Sequence, residues 1–400
     1  MGATADSDRV AALARQVVAD HDPKTVPLTE FLGACYDAGL TWVHFPKGLG
    51  GLGLSRSVQA VADGILQAAG GPFPLGLLPM EFGMAAPTVC EHAQSDEVKR
   101  KLLRGLAIMT DLWCQLFSEP GAGSDLAGLA TSAVRDGDDW VVNGQKVWTS
   151  NAHLARWGML VARTDPNVPK HKGLTYFVVD MHGPGVDIRP LRQMTGQAEF
   201  NEVYLTDVRI PDTYRLGPVG DGWRVAMTTL MNERTTIGIH FSSSRRGSGA
   251  IADAVSLWAS RPDLHTPVLR DRLSQLWLRA EAQRLTAERA RVAATVAGPG
   301  PTSSIAKVVV AELNQTIYQW CMDLLGPEGI FYSSYDMKRG HGDRGEARGP
   351  VQQRFLRSRA NTIEGGTSEI NRNVLGERVL GLPGDLRADM GMPWKEIPRG

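Results

Sequence analysis

A change of hydrophobic period constrains the fold more than any other feature of this sequence. Before about residue 111 and after about residue 216, apolar residues recur at helical spacing; between those points they alternate. Val10, Leu13, Ala14, Val17 and Val18 form one helical stripe, and further helices are expected over residues 28–38, closed by Gly39, and over 55–69. In the middle stretch, residues 157–163, 174–180 and 201–210 read as strands, and Pro, Gly and Asp fill the gaps. Downstream, Leu269, Leu273, Leu276 and Ala280 return to a helical register, as do Ile305, Val309, Leu313, Thr316, Trp320 and Leu324. A last helix starts near Thr367 and stops at Gly381-Leu382-Pro383. The expected fold is α+β and multidomain. It comprises an N-terminal α-helical domain over residues 1–111, a middle β-barrel-like domain over 112–215 and a C-terminal antiparallel helical bundle over 216–400.

Composition narrows the function classes. Lys plus Arg and Asp plus Glu each number 43, so the net charge is zero and gives no global attraction to nucleic acid or a membrane surface. Cys35, Cys90, Cys114 and Cys321 have no metal-ligand spacing and are expected to be reduced thiols, with no metal bound. The uncharged stretch 64–80 contains too many glycines and prolines for a membrane span. A soluble, cytoplasmic protein is expected. Gly48-Leu-Gly-Gly-Leu-Gly53 matches GxGxxG, but a dinucleotide fold needs a second strand about 20 residues on, and the chain instead enters Ala69-Gly-Gly-Pro-Phe-Pro74. It reads as a turn between helices. The basic run from Lys338 to Arg348, with Arg354, Arg357 and Arg359 beyond, has no interleaved aromatic residue and is diluted by acids. It reads as a solvated loop with interface arginines rather than a DNA site.

Two stretches carry chemistry. Residues 111–118 read as a short apolar strand running into Pro120-Gly121-Ala122-Gly123-Ser124, where glycines remove bulk and let successive backbone N–H groups face an anion or a flat heteroaromatic edge. Ser118 and Ser124 add hydroxyls. Residues 139–151 read as two strands around an Asn143-Gly144 hairpin turn, the second ending in Trp148-Thr149-Ser150.

Together these stretches resemble the acyl-CoA dehydrogenase family, flavoenzymes that desaturate acyl thioesters, and the resemblance runs from about residue 25 to Pro383. It implies that Gln115, Phe117, Ser118, Gly123 and Ser124 bind FAD, that Ser124 also touches the acyl-CoA substrate, and that Trp148 and Ser150 lie against the flavin. It further implies that Thr367 and Glu369 meet FAD at a helix start. Electrons would leave to an electron-transfer flavoprotein, in lipid β-oxidation chemistry. A homodimer, a homotetramer or a hetero-oligomer would carry the reaction.

The α-proton of a thioester is weakly acidic, so the reaction needs a carboxylate whose pKa a dry pocket has raised. The family places this glutamate either directly before the Gly-Thr of a C-terminal Glu-Gly-Thr motif or, in isovaleryl and long-chain types, on a bundle helix before an arginine. Here the first position is Gly365 in Thr362-Ile-Glu-Gly-Gly-Thr367, and Glu364 stands one residue early. The second is filled. Glu233 continues the stripe of Trp223, Ala226, Met227, Leu230 and Met231, and Arg234 follows it. Glu233 is therefore the expected base, with Arg234 and the space at Gly365 facing substrate. Two family motifs are altered: the Arg-x-x-Phe-Gly region reads Arg261-Pro-Asp-Leu-His, and Gln-x-x-Gly-Gly becomes Asp323-Leu-Leu-Gly-Pro327. Two other readings share these residues. One is a flavin monooxygenase or oxidase of the same fold, and the other is a non-catalytic partner subunit of a hetero-oligomer.

Overall fold

The computed structural model describes residues 2–241, 245–297, 302–338, 349–384 and 389–398; the side chains of 2–3, 234–241, 291–297 and 302–303 lie outside that description. Helices come first: α1 (Gly2–Asp20), α2 (Leu28–Asp37), α3 (Gln59–Ala68), α4 (Pro74–Leu77), α5 (Ala86–His92) and α6 (Asp96–Ala107). Strands follow: β1 (Trp113–Leu116), β2 (Ser132–Asp136), β3 (Asp139–Ser150), β4 (Trp157–Arg163), β5 (Leu174–Asp180), β6 (Val186–Pro190), β7 (Phe200–Pro211) and β8 (Arg215–Leu216). Helices then return as α7 (Gly222–Phe241), α8 (Ala250–Ser260), α9 (Pro267–Ala297), α10 (Thr302–Leu325), α11 (Val351–Ser358) and α12 (Ser368–Arg378). Helix, sheet and helix succeed one another as the period change predicts. Among the described residues no helix is long and apolar enough to cross a membrane.

The chain forms two compact units. The first comprises Met1–Arg189, Phe200–Asn232 and Asp389–Gly400, and the second Pro190–Glu199 and Glu233–Ala388. In the first unit the strand order is β6-β7-β3-β2-β4-β5-β8, with β1 parallel to β4. β4 and β5 read as continuous apolar runs because alternate residues enter two different cores. Trp157, Met159, Val161, Tyr176 and Val178 pack with residues of α5 and α6, while Leu160, Ala162, Phe177 and Val179 pack with Trp140, Val142 and Val203. Both faces are covered, so both strands are buried almost throughout.

The structure corrects the hairpin. Asn143 and Gly144 lie inside β3, and the turn is one step earlier, where Asp136 pairs with Asp139 around Gly137 at φ +64°. Asn143-Gly144 marks a register shift against β7 instead. Asn143 exchanges hydrogen bonds with Asp207 (3.0 and 2.9 Å), and a Cβ on Gly144 would stand 2.7 Å from the Thr131 Cα. A close backbone approach, not a turn, requires this glycine. Residues 48–53 form the expected turn between α2 and α3, where a Cβ on Gly51 would meet the Phe45 carbonyl oxygen at 2.1 Å.

In the second unit α10 packs against α8, α9, α11 and α12. Leu273, Leu276, Leu313, Trp320 and Leu324 are buried in its core. At the start of α10 the stripe is displaced from the expected one: Ile305 and Val309 are exposed, and Ser304, Val308 and Ala311 are buried.

Candidate functional site

In the first unit the chain leaves β1 beside β3, and the Val147 N–H donates to the Ser118 carbonyl at 2.9 Å. Glu119 and Ala122 then exchange backbone hydrogen bonds of 3.0 Å, making a tight turn over Pro120-Gly121. The Glu119 carboxylate accepts from the N–H groups of Ala130 (2.6 Å) and Thr131 (2.9 Å), which closes residues 119–131 into a loop. Lys146, fully buried, donates to Glu119 (2.8 Å) and to the carbonyls of Phe117 (3.0 Å) and Val161 (2.9 Å). Burial raises the Glu119 carboxyl, but the Lys146 charge and the hydrogen bonds outweigh it and hold the group below its ordinary value. Burial lowers the Lys146 ammonium, against the opposing pull of the Glu119 charge and hydrogen bond; the two side chains form one buried pair. It ties the strand that carries Phe117 and Ser118 to the strand that carries Trp148 and Ser150.

Between Lys146 and Thr149 the β3–β7 register shifts again, and Trp148 adopts φ +60° with 57% of its surface exposed. A left-handed conformation costs a non-glycine residue about 1–2 kcal/mol. Its ring meets Phe200 edge-on at 5.8 Å, which fixes the exposed face. Gly121 and Gly123 are also informative. Neither takes a positive φ, and a Cβ on either would meet nothing within 4 Å. Among the described residues nothing requires glycine there, so what they leave clear is the outer surface of the loop. A fixed aromatic face beside a loop stripped of side chains fits a flat, anionic cofactor such as FAD. Ser124 is exposed, and Gln115, Ser118 and Ser150 are half-buried. Phe117 is different: its side chain is core, packed edge-on to Tyr176 at 5.8 Å, and only its backbone remains to face a ligand.

The first half of α7 is anchored in the same unit. Buried Thr229 shares its hydroxyl with Thr88 and Tyr176, each at 3.0 Å, and Thr228 bonds His92 Nε2 at 2.9 Å. Val225, Ala226 and Thr229 make the buried face, while Met231 is exposed, so the stripe is rotated from the one expected.

The boundary between the units falls after Asn232. Glu233 opens the second unit on α7, half-buried, i+4 from Thr229 and i+7 from Ala226. Arg234 is on the same helix, and its side chain lies outside the described residues. Glu364 is committed elsewhere: Arg357 grips both its oxygens (3.1 and 2.8 Å), and Asn361 adds a bond of 2.9 Å. Gly365 and Gly366 follow at φ +63° and +88°. Thr367 caps α12, accepting from the Ile370 N–H at 3.1 Å, which leaves its own hydroxyl proton to donate; Glu369 is exposed in the first turn. Arg261 is held by Asp263 and bidentately by Glu328 (2.6 and 3.1 Å), and Gln319 donates to Asp323 at 3.0 Å. Both altered motifs are thus engaged within their own unit. Of the basic run, residues 339–348 lie outside the described residues, whereas Arg354 pairs with Asp253 and Arg359 lies on Phe355.

Sequence reasoning missed the Lys146–Glu119 pair. The signal was a lysine set among inward-facing residues of a strand, with an acid in the adjoining motif.

Comparison with known proteins gives two family matches, the acyl-CoA dehydrogenase middle domain at residues 114–208 and the acyl-CoA dehydrogenase C-terminal domain at residues 220–380. The chain is 41% identical to the acyl-CoA dehydrogenase FadE34 of Mycobacterium tuberculosis over 88% of its own length, and it spans only 46% of that protein. It is 38% identical to the acyl-CoA dehydrogenase IpdE1 of the same organism, covering 88% of this chain and 86% of that one. Among solved structures it resembles a chain of the Tcur3481-Tcur3483 steroid ACAD, with a TM-score of 0.70 and 26% identity over 94% of this chain and 98% of the other.

Proposed function

The chain belongs to the acyl-CoA dehydrogenase family, and from that premise we propose that it desaturates an acyl-CoA thioester, with Glu233 taking the α-proton. The carrying observation is the state of the other family position: residue 365 is a glycine, and the neighbouring Glu364 has its oxygens occupied by Arg357 and Asn361. Of the two places where the family keeps its base, only that of Glu233 holds a carboxylate, and it stands on a helix face shared with buried Ala226 and Thr229.

FAD, the family's cofactor, supplies a hydride acceptor when bound. Gln115, Ser118, Gly123, Ser124, Trp148 and Ser150 hold it, with the Phe117 backbone and with Thr367 and Glu369. Ser124, Arg234 and the space above Gly365 receive the acyl-CoA. An electron-transfer flavoprotein collects the electrons, and the chain works as an oligomer. Acyl-CoA esters of steroid type are the first substrates to try, because a structural relative carries that description.

Replacing the base separates this reading from its rival. Glu233→Gln should lower kcat about 10³-fold while the protein still binds FAD, and Glu364→Gln should keep most of the activity. The reverse pattern would move the base to Glu364.

A further inference from the structure

We propose that residues 389–398, which lie beyond both family matches, position the acyl-CoA end of the 119–131 loop, with Trp394 and Asp389 as the positioning residues. The proposal rests on the reading of Ser124 as a substrate contact.

The loop is closed at its base by Glu119, but its far limb, residues 125–129, hangs on other groups. Arg163, 3% exposed, donates to the carbonyls of Leu129 (3.1 Å) and Ala127 (2.6 Å), and also to that of Lys170 (3.2 Å). The Trp394 ring lies over this guanidinium at 4.2 Å and covers it. The indole N–H reaches the limb itself, donating to the Gly128 carbonyl at 3.1 Å. Backbone bonds from Trp394 to Val168 (2.9 Å) and from Lys395 to Pro166 (3.0 Å) fasten the segment to the neighbouring 164–173 loop. Asp389 completes the arrangement. The Lys170 ammonium is shared between Asp389 (2.6 Å) and both oxygens of Asp125 (2.9 and 2.8 Å).

Asp125 is the residue directly after Ser124. One segment therefore holds the limb at the Gly128 carbonyl, at the Arg163 peg and, through Lys170, at Asp125. A displacement of about 1 Å in a substrate-positioning group can cost up to about 10²-fold in rate, so loosening the limb should be read as weaker engagement of substrate. Ser118, Trp148 and Ser150, the flavin contacts that lie off this limb, are fastened separately, by Lys146 and β3, and should not respond.

Trp394→Ala, Trp394→Phe and Asp389→Asn variants of the 400-residue chain, loaded with FAD, test this. Trp394→Ala should raise KM for the acyl-CoA about five-fold, with a smaller change in kcat and with FAD still bound. Trp394→Phe, which keeps a ring over Arg163 but loses the indole donor, should fall between it and the wild type, and Asp389→Asn should raise KM by a smaller factor. Amide hydrogen exchange should quicken about ten-fold in residues 125–129 and 164–172 of Trp394→Ala and stay unchanged in β3 and β7. Wild-type KM in Trp394→Ala would overturn the proposal, whatever the exchange shows. Exchange that is unaltered in the limb, or accelerated equally throughout the chain, would also overturn it. If no acyl-CoA reduces the wild-type flavin, the functional reading fails, and the exchange comparison alone decides whether the segment holds the loop.

Discussion

Lys146 shows how much one buried charge organises. Its ammonium sits among three acceptors, two from the Phe117–Glu119 stretch and one from Val161 of β4, and its removal would leave the Glu119 carboxylate buried with two backbone donors and no counter-charge. Lys146→Met should therefore cost about 3–5 kcal/mol in urea unfolding. The double variant Lys146→Met/Glu119→Gln should recover part of that loss, because it removes the stranded charge along with its partner. Strictly additive losses would show that the two groups do not act together. At this scale the sequence was partly legible. Trp148 stood out as an aromatic beside a hydroxyl, and its exposure and φ of +60° support its proposed role against the flavin. Phe117 was read only by position in a motif, and no local pattern distinguishes a side chain that faces a cofactor from one that enters the core.

At the scale of elements, strands and helices were legible where one physical demand dominated. β4 and β5 were plain because both faces are apolar, and α12 because Thr367 and Gly381 punctuate it. The hairpin was misplaced because residues 136–139 and 143–144 both carry turn chemistry, and only the tertiary approach of Thr131 to Gly144 decides between them. The start of α10 was misread because its buried side includes Ser304 and small residues that a hydrophobic count ignores. One element junction makes a pH prediction. Asp212, just after β7, accepts from Arg215 of β8 (2.8 and 3.0 Å) and from the Trp140 indole of β3 (2.7 Å). The Arg215 hydrogen bonds, against a modest desolvation, pull its carboxyl down to about 2. Because the folded value lies below the unfolded one, this stabilisation is fully present above about pH 4 and is lost as pH falls towards 2. Asp212→Asn should lower stability at neutral pH and flatten its decline between about pH 4 and 2. An unchanged acid limb in chemical denaturation would remove Asp212 from this role.

Over the whole molecule, the order of helix, sheet and helix followed from hydrophobic period alone, because each demands its own periodicity over tens of residues. The site was legible only in pieces, since its expected residues come from stretches up to about 250 positions apart that no local pattern connects. The cradle motifs announced themselves through glycines and an aromatic. The proposed base rests on the family resemblance, with Gly365 where one of the two family positions would carry a glutamate and Glu233 at the other. Lys146, Arg163 and Trp394 were not found, because what they do is set by partners distant in sequence. Desaturation of an acyl thioester is the claim on which the rest depends, and anaerobic titration of the FAD-loaded chain with straight, branched and ring-bearing acyl-CoA esters tests it most directly. The account predicts that at least one class bleaches the visible flavin absorbance without oxygen. A flavin that stays oxidised in the presence of every ester, or a chain that takes up no flavin, would contradict it.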